Sequence, residues 1–123
     1  MTERLVRAMR QPVFKIWGHA LGRLLLRRPP FECDVEAVLD AAAESRAAIE
    51  INGDPYRLDL EPRWIRAARE RGLRFVASTD AHSVNALANV RFAVAMARRG
   101  WVTRDEVLNT RSGEEFRQAV RPV

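Results

Sequence analysis

The chain is short of several things, and each shortage excludes something. Cys33 is the only cysteine among 123 residues. An internal disulfide is therefore excluded, and a reducing compartment fits. No apolar run approaches the ~20 residues that a membrane-spanning helix needs. The first residues, MTERLVRAMR, are charged and lack the apolar core of a secretory signal. From these absences we expect a cytoplasmic protein with no membrane partner. Lys15 is the only lysine, so almost all of the positive charge is arginine. The formal net charge is +5, which favours an anionic partner such as nucleic acid. An arginine bias of this size also arises from genome base composition alone. Histidine is scarce too, with only two. What remains is 47% hydrophobic and 30% charged, the composition of an ordinary globular domain rather than a disordered chain. No repeat or low-complexity tract appears, and 123 residues make one domain.

Periodicity and punctuation order the chain. TERLVRAM predicts a short helix with Thr2 as its N-cap, ended by Pro12. VFKIWGH predicts a strand stopped at Gly18. LGRLLLRRPPFEC, broken by Pro29-Pro30, predicts a loop or a helical turn. Asp34 is placed to cap a helix that carries Val35, Val38, Leu39 and Ala42 through to Ser45. AAIEIN predicts a second strand, closed by Gly53-Asp54-Pro55. EPRWIRAARERG predicts a helix with Pro62 in its first turn and Gly72 just past its end. LRFVAST predicts a third strand. A helix follows, with Val90, Ala93, Val94 and Ala97 on one face and its end at Gly100. TRDEVLN and SGEEFRQAV predict two more helical pieces, the second with a Ser112/Glu115 capping box. Strand and helix alternate three times. The expected fold class is therefore α/β, with parallel strands alternating with helices.

Ligand sites in such folds lie at the carboxyl ends of the strands. There the sequence places His19, Asn52, Asp80 and His82, including both histidines. If the backbone runs extended through Asp80-Ala81-His82, the two side chains aim the same way. Imidazole and carboxylate together suit zinc, manganese or iron. Each residue also has an ordinary reading: a D-x-H pair occurs by chance near helix starts, and a lone histidine after a strand is commonly a hydrogen-bonded structural residue. Glu50 reads either as a ligand or as a buried carboxylate paired with an arginine such as Arg57. Arg57 offers a fork of donors to phosphate, or else it pairs with Asp59 or Glu50 to organise its loop. Arg23 has the same two readings, with the structural one favoured. Trp17, Trp64 and Trp101 read as core or helix-packing aromatics, and Cys33 as a packing residue.

The blocks GHALGRLLLRR, AAIEINGDPYRLDL, FVASTDAHS and ARRGWVTRDEVLNT resemble, in that order, the second half of the polymerase and histidinol phosphatase (PHP) domain. The nearest likeness is to the version found in bacterial family X DNA polymerases. The resemblance implies the C-terminal half of a distorted (β/α)7 barrel, so that residues 1–123 would be a single, partial domain. It also implies a phosphoesterase site built on clustered divalent metal ions, Mn2+ or Zn2+. On that likeness Asp80 and His82 match the closing D-x-H ligands and His19 a late histidine ligand. Asn52 and Arg57 match cleft positions on the substrate side. Ala20 stands where the family usually has proline. The family's leading H-x-H is absent, which implies a metal site incomplete without an upstream region or another chain. The implied substrate is a DNA 3′ end or an abasic site, as in 3′-5′ exonucleolytic repair. The alternatives are a histidinol-phosphatase-like small-molecule phosphatase and a non-catalytic scaffold. An open half-barrel also implies an exposed edge strand and self-association into a homo-oligomer.

Overall fold

A computed structural model describes residues 1–121. Three strands, β1 (Lys15–Trp17), β2 (Ala47–Asn52) and β3 (Arg74–Ser78), form one parallel sheet in the order β1-β2-β3. Between and after them run the helices α1 (Thr2–Met9), α2 (Val35–Ala43), α3 (Pro62–Glu70), α4 (Val90–Arg99) and α5 (Gly113–Val120). The α/β alternation expected from the sequence is the architecture observed, and it is consistent with part of a (β/α) barrel.

The central strand explains why the sheet is parallel. Ala48, Ile49 and Ile51 of β2 are fully buried, as strands covered on both faces require. Ile49 is in register with Trp17 on one side and Phe75 on the other. Val38 and Leu39 of α2, Ile65 of α3 and Ala93 of α4 close over this row in one hydrophobic cluster. Each large apolar side chain buried in this way contributes about 1.5–3 kcal/mol relative to exposure. Gly53 follows β2 where α4 passes very close. A Cβ there would lie 2.6 Å from the Asn89 carbonyl oxygen, so only glycine allows this approach.

Local signals read well where they are chemical. Asp34 accepts from the Ala37 N–H at 3.0 Å and caps α2. Pro62 opens α3, and Gly72 (φ 74°) follows its end. The Ser112/Glu115 capping box opens α5.

Several expectations need correction. Thr2 does not cap α1, whose N-cap is Met1; its hydroxyl accepts instead from the Asp34 N–H, tying α1 to the start of α2. Strand β1 keeps only Lys15–Trp17 of the expected run, because Val13 and Phe14 lie before the point where pairing with β2 begins. Helix α2 stops at Ala43, before Ser45. On α4 the buried residues are Ala93, Met96 and Ala97, while Val90 and Val94 are exposed; the helix turns its small side chains toward the sheet. TRDEVLN is not one helix. It splits into 3₁₀ turns at Arg104–Glu106 and Leu108–Thr110, with Val107 extended between them and bridged to Phe75. Trp101 is 65% exposed rather than packed in the core, with the Arg66 guanidinium 4.9 Å from its ring.

The outer edge of β3 is covered by a side chain. Asn109 accepts from the Ala77 N–H at 2.8 Å and donates to the Ala77 carbonyl at 2.9 Å. Its carboxamide copies the pairing that a neighbouring strand would give. No helix is long and apolar enough to cross a membrane among the described residues.

Candidate active site

The carboxyl ends of the three strands carry a polar cluster, and Glu50 is at its centre. One carboxylate oxygen accepts from the His19 backbone N–H and, at 3.3 Å, from the Asn52 side-chain amide; the other accepts from the Ser78 hydroxyl. A residue of β2 thus fastens the ends of β1 and β3. Gly18 lies beside this carboxylate: a Cβ there would be in ordinary van der Waals contact with the same Glu50 oxygen, at 3.5 Å. Among the described residues Glu50 pairs with no arginine, contrary to one of the two sequence readings. His19 lies in a tight turn with φ 29°, and its carbonyl accepts from the Gly22 N–H at 2.9 Å.

The loop after β2 folds back over the strand ends. The Asn52 N–H donates to the Asp59 carbonyl at 2.6 Å, and the Gly53 N–H to the Ser78 carbonyl at 2.7 Å. The Asn52 side chain is fully buried, and its oxygen caps the Asp54 N–H at 2.9 Å. Its amide is thus spent on positioning the loop rather than presented to a cleft. Arg23 is structural, as expected: its guanidinium donates to the Arg57 and Leu58 carbonyls and pairs with Glu61 at 3.4 Å.

Arg57 pairs with neither Asp59 nor Glu50. Its Nε lies 3.2 Å from Asp80 Oδ2. The pair is largely shielded, so each partner fixes the other's orientation across the cluster. Asp80 itself has φ 51°. The backbone is therefore not extended here, and the expected alternation does not bring Asp80 and His82 onto one side. The His82 side chain is 88% exposed. Its Nδ1 sits 2.6 Å from the Asp80 carbonyl oxygen and 4.0 Å from the Asp80 carboxylate. With Nδ1 donating to that carbonyl, Nε2 is left as the free lone pair facing outward, the arrangement usual for a histidine ligand.

An open cleft of about 360 Å³ runs beside this cluster, lined by His19, Gly22, Arg28, Pro29, Phe31 and Arg57. An imidazole and two guanidinium groups on an open wall suit an anion. The structure therefore brings His19 and Arg57 to one cleft and ties Asp80 to it through Arg57. Asn52 is buried beneath it, and His82 stands outside it. Among the described residues, no three His, Cys, Asp or Glu side chains converge as a metal-binding set.

One acidic residue of this region was weighed in the sequence only as a partner for Arg57. Asp59 is 0% exposed. One carboxylate oxygen accepts from the Leu21 N–H at 3.0 Å, while the other, Oδ1, has no hydrogen-bond partner among the described residues. Burial pushes its carboxyl above the ordinary range, against the pull of the Leu21 N–H, Arg23 and His19. Its placement between Leu58 and Leu60 was the available signal that this carboxylate is taken into the interior.

The chain has relatives among known proteins. The chain is 36% identical over 110 residues to the DNA polymerase/3'-5' exonuclease PolX of Bacillus subtilis, matching 89% of this chain and 19% of that protein. It is 29% identical over 119 residues to a probable phosphatase of Thermoanaerobacter sp. strain X514, matching 92% of this chain and 46% of that protein. A probable phosphatase of Aliivibrio fischeri is 24% identical over 119 residues, 89% of this chain and 44% of that protein. The chain thus spans from about a fifth to under half the length of these relatives. No protein-family model matches it.

Proposed function

We propose that this chain is the C-terminal half of a PHP-type phosphoesterase acting on DNA 3′ ends, with His19, Asp80 and His82 as a partial metal-ligand set. The observation that carries the reading is the 36% identity to PolX along 89% of the chain. Its support in the structure is the cationic cleft at the strand ends.

A divalent ion such as Mn2+ or Zn2+ is implied by the resemblance, and these donors are of the right chemical type. They do not make a complete site. Asp80 is held by Arg57, Glu50 is already engaged by three donors, and His82 faces outward. A catalytic centre needs about three protein ligands in one place. The ion, once bound, would lower the pKa of an attacking water. Further ligands would come from an upstream polymerase region or from a second copy of the chain.

This chain's own contribution is the handling of the phosphoryl group. Arg57 and Arg28 would hold two phosphate oxygens, and the forked guanidinium of Arg57 would neutralise charge as it develops. The Arg57–Asp80 pair keeps that guanidinium at the cleft wall before substrate arrives. His19, anchored through its backbone by Glu50, presents its imidazole to the same space.

The test is metal binding and hydrolysis together. The chain alone, dialysed against Mn2+ or Zn2+, should retain little metal. Joined to its upstream coding sequence it should release nucleotides from an oligonucleotide 3′ end. His19→Ala and Asp80→Ala should each abolish that release. Activity unaffected by both substitutions would overturn the reading. The small-molecule reading rests on the probable phosphatases, and faster hydrolysis of histidinol phosphate than of the oligonucleotide would favour it.

A further inference from the structure

The opposite end of the sheet carries a second basic site. Arg46 immediately precedes β2, Arg74 opens β3, and Arg111 follows the second 3₁₀ turn. All three line a cavity of about 310 Å³, whose apolar walls include Phe14, Leu108 and Ala119. No carboxylate pairs with any of the three arginines among the described residues.

Among the described residues, two of these guanidinium groups are also incompletely bonded. Arg46 gives Nη2 to the Ala119 carbonyl at 3.2 Å, but its Nη1 is buried without a partner. Arg111 gives Nη2 to the Asp105 carbonyl at 3.3 Å, but its Nε is buried without a partner. The two orphaned nitrogens are shielded, so an incoming anion would meet the outer guanidinium edges and the exposed Arg74 first. Lys15 adds to the field. Its ammonium donates to the Met9 and Gln11 carbonyls, and its pKa is lowered by burial and by the nearby charge of Arg46. Glu115 feels this field: its carboxyl is held below the usual range chiefly by hydrogen bonds from Ser112, with a further contribution from the charge of Arg111. That carboxylate is already engaged with the Ser112 N–H in the α5 capping box.

Guanidinium groups that share one cavity wall with no paired carboxylate, two of them with a buried unbonded nitrogen, are costly unless an anion offsets them. Planar forks of this kind match the tetrahedral oxygens of phosphate. We propose that the Arg46–Arg74–Arg111 cavity binds a phosphate group, at the end of the sheet away from the candidate active site. The group would be either free phosphate or a phosphate of a nucleic-acid backbone.

Arginine Nε–Hε resonances of the full chain read the site directly. Inorganic phosphate and a short dT oligonucleotide would be titrated separately. Saturable shifts at Arg46 and Arg111 with either ligand support the site, and the effective ligand names the source. Arg74→Gln, on the exposed rim, should weaken that binding about tenfold, whereas Arg57→Gln should leave it unchanged. Because Arg57 belongs to the other cleft, this site and the proposed catalytic reading fail independently. Shifts confined to Arg28 and Arg57, or no saturation with either ligand, would overturn the proposal. Should Arg74→Gln perturb folding, the resonance shifts of the unsubstituted chain still decide.

Discussion

Replacing Glu50 tests whether the strand ends are held by one carboxylate. Its three donors come from three places: the His19 N–H after β1, the Asn52 amide on β2 and the Ser78 hydroxyl on β3. Glu50→Gln keeps the shape. The new carboxamide oxygen can face His19 and Asn52, and its NH2 can donate to the Ser78 oxygen. All three contacts survive, but as neutral hydrogen bonds, at a cost of about 1 kcal/mol. Glu50→Ala removes both acceptors. The His19 N–H and the Asn52 amide are then orphaned, and the Ser78 hydroxyl turns to water. Two part-buried orphans at ~1–3 kcal/mol each, partly relieved by solvent, give about 3 kcal/mol. For a chain of this size, about 4 °C of Tm accompanies each kcal/mol. Circular dichroism melts should therefore drop by about 4 °C for Gln and ~12 °C for Ala. Urea unfolding should give the same order of stability. Equal losses for the two variants would mean that charge, not the count of acceptors, holds the cluster. An alanine variant as stable as the native chain would refute the staple outright. Loss of metal binding in Glu50→Gln with no loss of stability would make Glu50 a ligand instead.

Two further outcomes follow from the packing and the charges. Gly53→Ala should destabilise the chain by ~2–3 kcal/mol, because its Cβ would meet the Asn89 carbonyl oxygen at 2.6 Å and the Ala93 nitrogen at 2.9 Å. Both obstacles are backbone, so no rotamer relieves them; a melt within 2 °C or so of the native one would refute the close approach. Glu106 carries a pH-dependent contribution: burial raises its carboxyl, but hydrogen bonds from Thr103 and Arg69 outweigh this and hold it below 4.5. That stability is present above 4.5 and is lost as pH falls through the lower native value. Urea titrations should show the gap between native chain and Glu106→Gln closing on acidification; a constant gap would remove Glu106 as the cause.

Much of this molecule was legible before folding. The alternation of apolar runs with helical periodicity set the three parallel strands and the helices between them. Asp34, Pro62, Gly72 and Ser112 marked helix ends because their chemistry acts within a few residues, where sequence distance is spatial distance. The rule that parallel strands end at the functional edge placed His19, Asn52 and Asp80 together without coordinates. Thr2 failed as a cap because its hydroxyl serves Asp34, 32 residues away, a partner that no local pattern reveals. Of the apolar face read on α4, only Ala93 and Ala97 are buried while Val90 and Val94 are exposed, because helical periodicity gives a face but not the rotation of that face against the sheet.

The partners of the charges belonged to the tertiary structure alone. Arg57 chose Asp80 over two carboxylates nearer in sequence, Asp80 took a left-handed backbone that turned His82 outward, and Glu50 collected donors from β2, β3 and the turn after β1. Residue types and their order determined which groups reach each end of the sheet, because strand direction follows from hydrophobic burial. Which of those groups pair, and which are left free, was decided by distances of a few ångströms between segments far apart in the chain. Hydrogen bonds and ion pairs fall off over that range, so only the folded backbone could settle them.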